Sequence, residues 1–442
     1  LGGGNDSFFV QDTHAGTTTI DLGDETPLAG QVNDRISIRA ISGTTRVRGG
    51  AGNDQFFVNY QSDFATQTFQ NNIGAVLCLH GQTDSDLYRV GLSGEGSSII
   101  NVLDQSNGDL GVDSLIINGT NDQDTFFLRP NAVSSVSEDL SGNRTIERIN
   151  YDGSLNGGMT INGRDDDDTF VLDDNNIITT IYGDAGNDIF QVGQVFQSPR
   201  DANAGLQPED TFPTTLTTRG YLSNGISRST TLFGGTGNDS FTVYHNQADL
   251  AMRGEEDDDT FTVRAFVRVD PNDTKAPRTN INGGQGADFI SYTVNLPVDI
   301  EGGDGFDTLT VVGTEFGDEF VVNDKGVFGA GLFVRFAGLE KVVVDALEGN
   351  DTFYVGSTSK DIDLQLVGGR GSDTFDIGGS EDGEPITVVS NDGKGSSGLI
   401  DMSMIGGTFV PDVSVNVFDN DSAGVVITPV GAEQLRLSLI HI

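Results

Sequence analysis

The stretch GGTGNDSFTV, from Gly234 to Val243, is nearly repeated as GGAGNDQFFV from Gly49 to Val58. In both, a Gly-rich acidic turn leads into apolar residues at alternate positions. Aligning the chain on the turn aspartate gives thirteen such places: Asp6, Asp54, Asp86, Asp124, Asp168, Asp188, Asp239, Asp259, Asp288, Asp307, Asp318, Asp351 and Asp373. Two residues after the aspartate stands Phe in ten of the thirteen, with Tyr88, Ile290 and Leu309 in the others. Four residues after it stands Val, Leu or Ile in twelve, and Tyr292 in the last. Alternation at period two directly after a turn is the signature of a half-buried strand. No sustained 3.6-residue periodicity accompanies it, so helices are not expected.

Spacing says how such strands stack. Successive aspartates lie 20 residues apart at 168–188 and 239–259, 19 at 288–307 and 22 at 351–373. Coils of that length suit a parallel β-solenoid rising ~4.8 Å per rung. Larger gaps are expected to hold rungs with worn turns or protruding loops. The short step of 11 from Asp307 to Asp318 suggests two turns within one coil. A longer period overlays this one: residues 112–128 align with 306–322, and Asp54, Asp168 and Asp188 recur at Asp239, Asp351 and Asp373. The expected organisation is a first solenoid super-repeat over 1–194 and a Pro/Ser/Thr-rich excursion over 195–230. A second super-repeat follows over 231–380, then terminal rungs or the start of a β-sandwich over 381–436. The chain opens inside a repeat, and its last six residues, 437–442, match the translation of a common transposase adapter. The sequence therefore reads as a fragment ending in adapter read-through.

Composition narrows the partners. Of 442 residues, 66 are acidic and 24 basic, a formal charge of -42. Phosphate binding needs clusters of Lys and Arg, so nucleic acid and anionic membranes are poor partners. Hard divalent cations suit a carboxylate-rich surface, with calcium foremost. Four His and no Trp leave little for imidazole chemistry. The single Cys78 lies in an apolar run and reads as a small core residue. No apolar run approaches the ~20 residues that span a bilayer.

Five turns carry the full pattern Gly-Gly-x-Gly-x-Asp, ending at Asp54, Asp239, Asp288, Asp307 and Asp373. Glycine permits positive φ and lets carbonyls converge, and the aspartate adds a carboxylate. An all-oxygen ligand set of that kind is what calcium prefers. A turn Asp can also cap the backbone two residues on as an Asx-turn and need no ion. Where glycine is lost, acid replaces it, as in Asp165–Asp168 and Glu255–Asp259. Like charge stacked that densely calls for a cation. These turns resemble the nonapeptide repeats of the repeats-in-toxin (hemolysin-type) family, GGxGxDxUx, which GGTGNDSFT and GGAGNDQFF fit at all nine positions. The resemblance implies calcium and secretion. Here the nonapeptides stand singly rather than in tandem, and phrases such as GTEFGDEFVV and ALEGNDTFYV resemble β-strand-repeat regions of very large bacterial surface proteins.

The sequence thus reads as an all-β, elongated, right-handed parallel β-solenoid (β-helix or β-roll-like) with Gly-Asp turns. Calcium is its expected cofactor, and the expected ligands are Asp54, Asp168, Asp188, Asp239, Asp259, Asp288, Asp307, Asp351 and Asp373. The expected role is structural, as a stalk, adhesin or surface-layer element that is extracellular or on the cell surface, without enzymatic activity. Its partners would be calcium, its own neighbouring repeats and extracellular polysaccharide. A polysaccharide-binding or polysaccharide-cleaving β-helix is the rival reading.

Overall fold

The computed structural model of the chain describes residues 4–24, 34–104, 111–138, 144–207, 210–264, 278–293, 297–330 and 332–377. Beyond them it describes the strands Thr387–Ser390, Leu399–Asp401, Gly424–Pro429 and Leu435–Ile440. Among the described residues the fold is almost entirely β, and the one helical element is a short 3-10 turn, Ala202–Ala204. Two compact units, Leu1–Leu250 and Ala251–Ile442, divide the chain. Each is a parallel β-solenoid.

In the first unit, one sheet runs Ser7–Val10, Arg35–Ile38, Gln55–Val58, Leu87–Gly91, Ser114–Asn118, Gly158–Asp165, Thr179–Ala185, Thr230–Thr236, with every neighbour parallel. The second sheet begins with Thr18–Asp24, Thr45–Ala51, Leu77–Thr83, Ser98–Val102 and Arg144–Tyr151, again parallel. It continues with Thr125–Arg129, Thr169–Leu172, Ile189–Val192 and Ser240–Val243. Each coil gives one strand to each sheet, so the alternating apolar residues meet between them. Phe126, Phe170, Phe190 and Phe241 lie ring over ring at 5.0, 4.9 and 4.6 Å, with planes 4–12° apart. That spacing is the separation of neighbouring strands, so an aligned register stacks like on like. Each such pair adds roughly 0.5–1.5 kcal/mol beyond the burial of its area. The second unit repeats this with Phe320, Phe353 and Phe375 at 5.2 and 4.8 Å. Cys78 departs from expectation: it sits half-buried on the outward side of Leu77–Thr83, where Asn101 Nδ2 lies 3.4 Å from its Sγ.

The wide gaps in the aspartate series have physical contents. Two of them hold rungs whose turns lack the Gly-Phe signature, marked by Asp34 before Arg35–Ile38 and Asp113 before Ser114–Asn118. The gap from Asp124 to Asp168 holds an antiparallel meander, Thr125–Arg129 with Ala132–Glu138 with Arg144–Tyr151. Between the coil strands Ile189–Val192 and Thr230–Thr236, Val195–Phe196, Gly220–Ser223 and Thr214–Thr217 form a small antiparallel sheet of their own.

The meander changes the phase of the solenoid. Asp34, Asp54, Asp86 and Asp113 mark turns that pass from the second sheet into the first. Asp124, Asp168, Asp188 and Asp239 mark turns that pass the other way. The strand Ser114–Asn118 lies between two such turns and serves as a half-coil. The second unit makes the same move. Asp288 and Asp307 lead into one sheet, the half-coil Thr308–Val312 follows, and Asp318, Asp351 and Asp373 lead into the other. Its meander is Glu319–Asn323 with Gly326–Gly329 with Leu332–Ala337.

Much of the expected terminal region, 381–436, lies outside the described residues. Within it, Thr387–Ser390 and Leu399–Asp401 extend the two sheets of the second unit in parallel. Gly424–Pro429 pairs antiparallel with Leu435–Ile440.

Candidate metal centre in a buried aspartate ladder

The turn aspartates do not line the outer rim of the turns. All nine expected ligands are buried, none more than 3% exposed. In eight of them Oδ1 accepts the backbone N–H of the aspartate one rung earlier. In the first unit Asp6 N–H donates to Asp34 (2.7 Å), Asp34 to Asp54 (2.9 Å), Asp54 to Asp86 (2.7 Å) and Asp86 to Asp113 (2.9 Å). After the phase change the series runs Asp124 to Asp168, Asp168 to Asp188 and Asp188 to Asp239, each at 2.7 Å. In the second unit it runs Asp259 to Asp288 to Asp307, then Asp318 to Asp351 to Asp373. Neither an Asx-turn onto the same turn nor a rim carboxylate describes this. It is a ladder of side chains perpendicular to the strands.

The ladder explains the glycines. A Cβ on Gly49, Gly163, Gly183, Gly254, Gly283 or Gly368 would overlap Oδ2 of the aspartate five residues later. The first glycine of each motif is therefore a cradle for the carboxylate, and none of these six has positive φ. The second and third glycines meet a different demand. Gly235 and Gly237 have φ of 120° and 110°, where a side chain is strained. In the degenerate turns the same two positions hold Gln82 and Asp84, Arg164 and Asp166, or Glu255 and Asp257, all at φ between 73° and 100°. Aspartate is among the few residues that tolerate that region. The acidic runs thus have a conformational cause as well as an electrostatic one. On several rungs the residue before the ladder aspartate forms a second, outer ladder of opposite direction: Asn187 N–H donates to Asp167 Oδ1 at 2.7 Å, and Asn238 N–H to Asn187 Oδ1 at 2.9 Å.

The ladders have made ends. Asp113 N–H donates to Asn156 Oδ1 at 2.9 Å, and Asp307 N–H to Glu340 Oε2 at 2.7 Å. Where a new ladder starts, a threonine caps it. Thr120 N–H donates to Asp124 Oδ2 at 2.6 Å, and Thr314 N–H to Asp318 Oδ2 at 2.7 Å.

Burial dominates the electrostatics. It pushes the carboxyl of Asp168 up to about 8 and those of Asp188, Asp288 and Asp351 up to about 6. Backbone N–H bonds oppose this shift, and neighbouring aspartates add to it. Oδ2 of Asp168, Asp188, Asp288 and Asp351 is buried with no hydrogen-bond partner. A proton or a cation is what such an oxygen lacks.

The nine expected ligands come together as neighbours along ladders, not as clusters. Among the described residues, the one group of three acids whose ligand atoms lie within 4.8 Å of one another is Asp86, Asp104 and Asp113. None of these belongs to the expected set. Asp113 carries the faint signal D-x-Leu-x-Ile, and Asp34 likewise D-x-Ile-x-Ile, but neither has the full Gly-Gly-x-Gly set: Gly108 and Gly111 precede the first and Gly30 the second. Asp104 carries no signal by sequence alone.

A second feature is an open cleft of about 1080 Å³ in the first unit, beside the meander, with Phe69, Phe127, Arg129, Arg144, Arg148 and Asp210 in its walls. Asp210, from the excursion, lies 2.8 Å from Arg148 Nη1 and 3.5 Å from Arg129 Nη1. Arg129 also pairs with Asp173 at 3.3 Å.

Comparison with protein-family models, with curated proteins and with solved structures gave no match to the chain.

Two outcomes are expected. Gly183→Ala should destabilise the protein by about 1–3 kcal/mol through overpacking against Asp188, read as a lower melting temperature. Gly153→Ala, where a Cβ meets nothing within 4 Å, should stay within about 0.5 kcal/mol of the parent. In metal-free protein, stability should fall as pH rises from just above 4 through 8. The folded carboxyls keep protons that the unfolded chain has released, so the folded state binds more protons in that window. Melting temperatures that rise over the same window would contradict the buried ladder.

Proposed function

We propose that this chain is a structural repeat segment, a calcium-stabilised stalk, adhesin or surface-layer element of a large secreted or cell-surface protein. It acts by length and stiffness rather than by catalysis. The observation that carries this reading is the engagement of the turn carboxylates with the next rung, which uses the repeated chemistry to join coil to coil. A repeat array of this kind makes distance and surface.

Calcium fits the ladder's need. Buried Oδ2 atoms stack one rung apart, and the exposed acids Asp165–Asp167 and Glu255–Asp258 flank the turns outside. Hard oxygen ligands at this density favour a divalent cation over none. Binding to the folded state alone would stabilise it by about 2.7 kcal/mol at a hundredfold excess over Kd. Folding would then be coupled to extracellular calcium, and the chain would loosen where calcium is scarce. The cleft of the first unit favours a second reading. Phe69 offers an aromatic surface, and Arg144 with the Arg148–Asp210 pair offers hydrogen-bonding groups, to a polysaccharide chain.

Thermal melts followed by circular dichroism, in millimolar calcium and in excess chelator, test the main reading. The melting temperature is expected to drop by ten degrees or more in chelator at neutral pH. Equal temperatures would sink calcium coupling. Release of unsaturated sugars from uronate polymers would replace the scaffold reading with the enzymatic one.

A further inference from the structure

We propose that Asp86, Asp104 and Asp113 form a binding site for a single hard divalent cation, calcium first, near the end of the first ladder. The proposal rests on the reading that cations neutralise buried acid here. It goes further by placing an ion at a site where two of the three residues, Asp104 and Asp113, are not selected by the repeat pattern.

The site arises from a local break in the repeat. Ser98–Val102 pairs in parallel with Leu77–Thr83, Leu79 opposite Val102. Two residues on in that register, Asp104 stands over Gly81. Gly81 is the cradle glycine for Asp86, because a Cβ there would overlap Asp86 Oδ2. A regular rung places another glycine over that cradle, as Gly234 stands over Gly183. This rung places a carboxylate there instead. Asp104 Oδ1 accepts the N–H of Gln82 at 2.6 Å, which holds it in place. Asp113 is the next member of the ladder and accepts Asp86 N–H at 2.9 Å.

Three carboxylates therefore converge, with one ligand atom from each within 4.8 Å of the others. Their residues are 2–3% exposed. Asp86 Oδ1 is engaged by Asp54 N–H, while Asp86 Oδ2 is buried, lies over the cradle and has no hydrogen-bond partner. The charged neighbours that bear most on Asp86 are Asp104, Asp54 and Asp113, all negative. Burying three like charges together is unfavourable by far more than one hydrogen bond can offset. A cation bound by carboxylate oxygens resolves it, and carboxylates without imidazole or thiolate select calcium, magnesium or manganese over zinc. The hydroxyl of Tyr88, fully buried beside Gly81 and bonded to its N–H, closes the site on its inner side.

The experiment is calcium titration of the metal-stripped full chain by calorimetry, for the parent, Asp104→Gly, Asp104→Asn and Asp188→Asn. Asp104→Gly restores the glycine of a regular rung and so preserves the fold. Both Asp104 variants are expected to lose one equivalent of calcium, or at least tenfold in the affinity of one site, with unchanged circular dichroism. Asp188→Asn should keep that equivalent. Unchanged stoichiometry and affinity in both Asp104 variants would overturn the proposal, even if chelator still lowers the melting temperature. Loss of the equivalent in a chain whose melting ignores chelator would uphold this site while removing the wider calcium coupling. Absence of binding in the parent, with Asp104→Asn more stable than the parent, would overturn it in favour of protons.

Discussion

One hydrogen bond organises this molecule: a turn aspartate accepts, through Oδ1, the backbone N–H of the aspartate one rung before. It fixes the register of adjacent coils at the turn, where sheet hydrogen bonding is weakest. From that register follow the aromatic columns, because Phe two residues on from one aspartate must then lie over Phe from the next. The bond also sets the sequence cost of each turn. A carboxylate tucked inside requires a glycine cradle, and the tight return requires two positions at positive φ. The GGxGxD motif satisfies all three demands at once. Magnitudes show where the tension lies. A charge-assisted bond to a carboxylate is worth about 1.5–3 kcal/mol. Burying the charge costs several kcal/mol per ion. The ladder is favourable only if protons or cations offset the difference, and so its stability depends on what surrounds it.

The phase change shows how the solenoid manages a ladder of finite length. In both units a half-coil with an aspartate at each end moves the acidic turns from one passage between the sheets to the other. Each time a threonine caps the new ladder, and a side chain from beyond the meander, Asn156 or Glu340, closes the old one. The first unit's meander and excursion also build the cleft around Arg148 and Asp210. The departures from regular coiling therefore carry the features most particular to this chain.

Much of this was legible in the sequence. Period-two alternation after each turn and steps near 20 residues led to stacked parallel strands, and the offset of 194 between residues 112–128 and 306–322 marks the two half-coils. The direction of the aspartate side chain was not legible. A Gly-rich acidic turn reads as a surface turn, and nothing local says that the first glycine makes room for a carboxylate five residues on. Asp34 and Asp113 are hard to find by pattern because their rungs carry Ile and Leu where others carry Phe, and only part of the Gly-Gly-x-Gly set precedes them. Asp104 could not be found from sequence, since its place over Gly81 depends on the pairing of two strands. By sequence the acidic runs read as charge awaiting an ion. Asp166 and Asp257 show that positive φ is a second reason for the same residues.

Hydrogen exchange resolved by mass spectrometry on the whole chain tests the central claim most directly. If the turn amides donate to buried carboxylates, peptides covering Asp168, Asp188 and Asp288 will exchange as slowly as the Phe-bearing strands that follow them. Exchange in those turns orders of magnitude faster than in the strands would mean rim carboxylates on an exposed turn, and the ladder would be wrong.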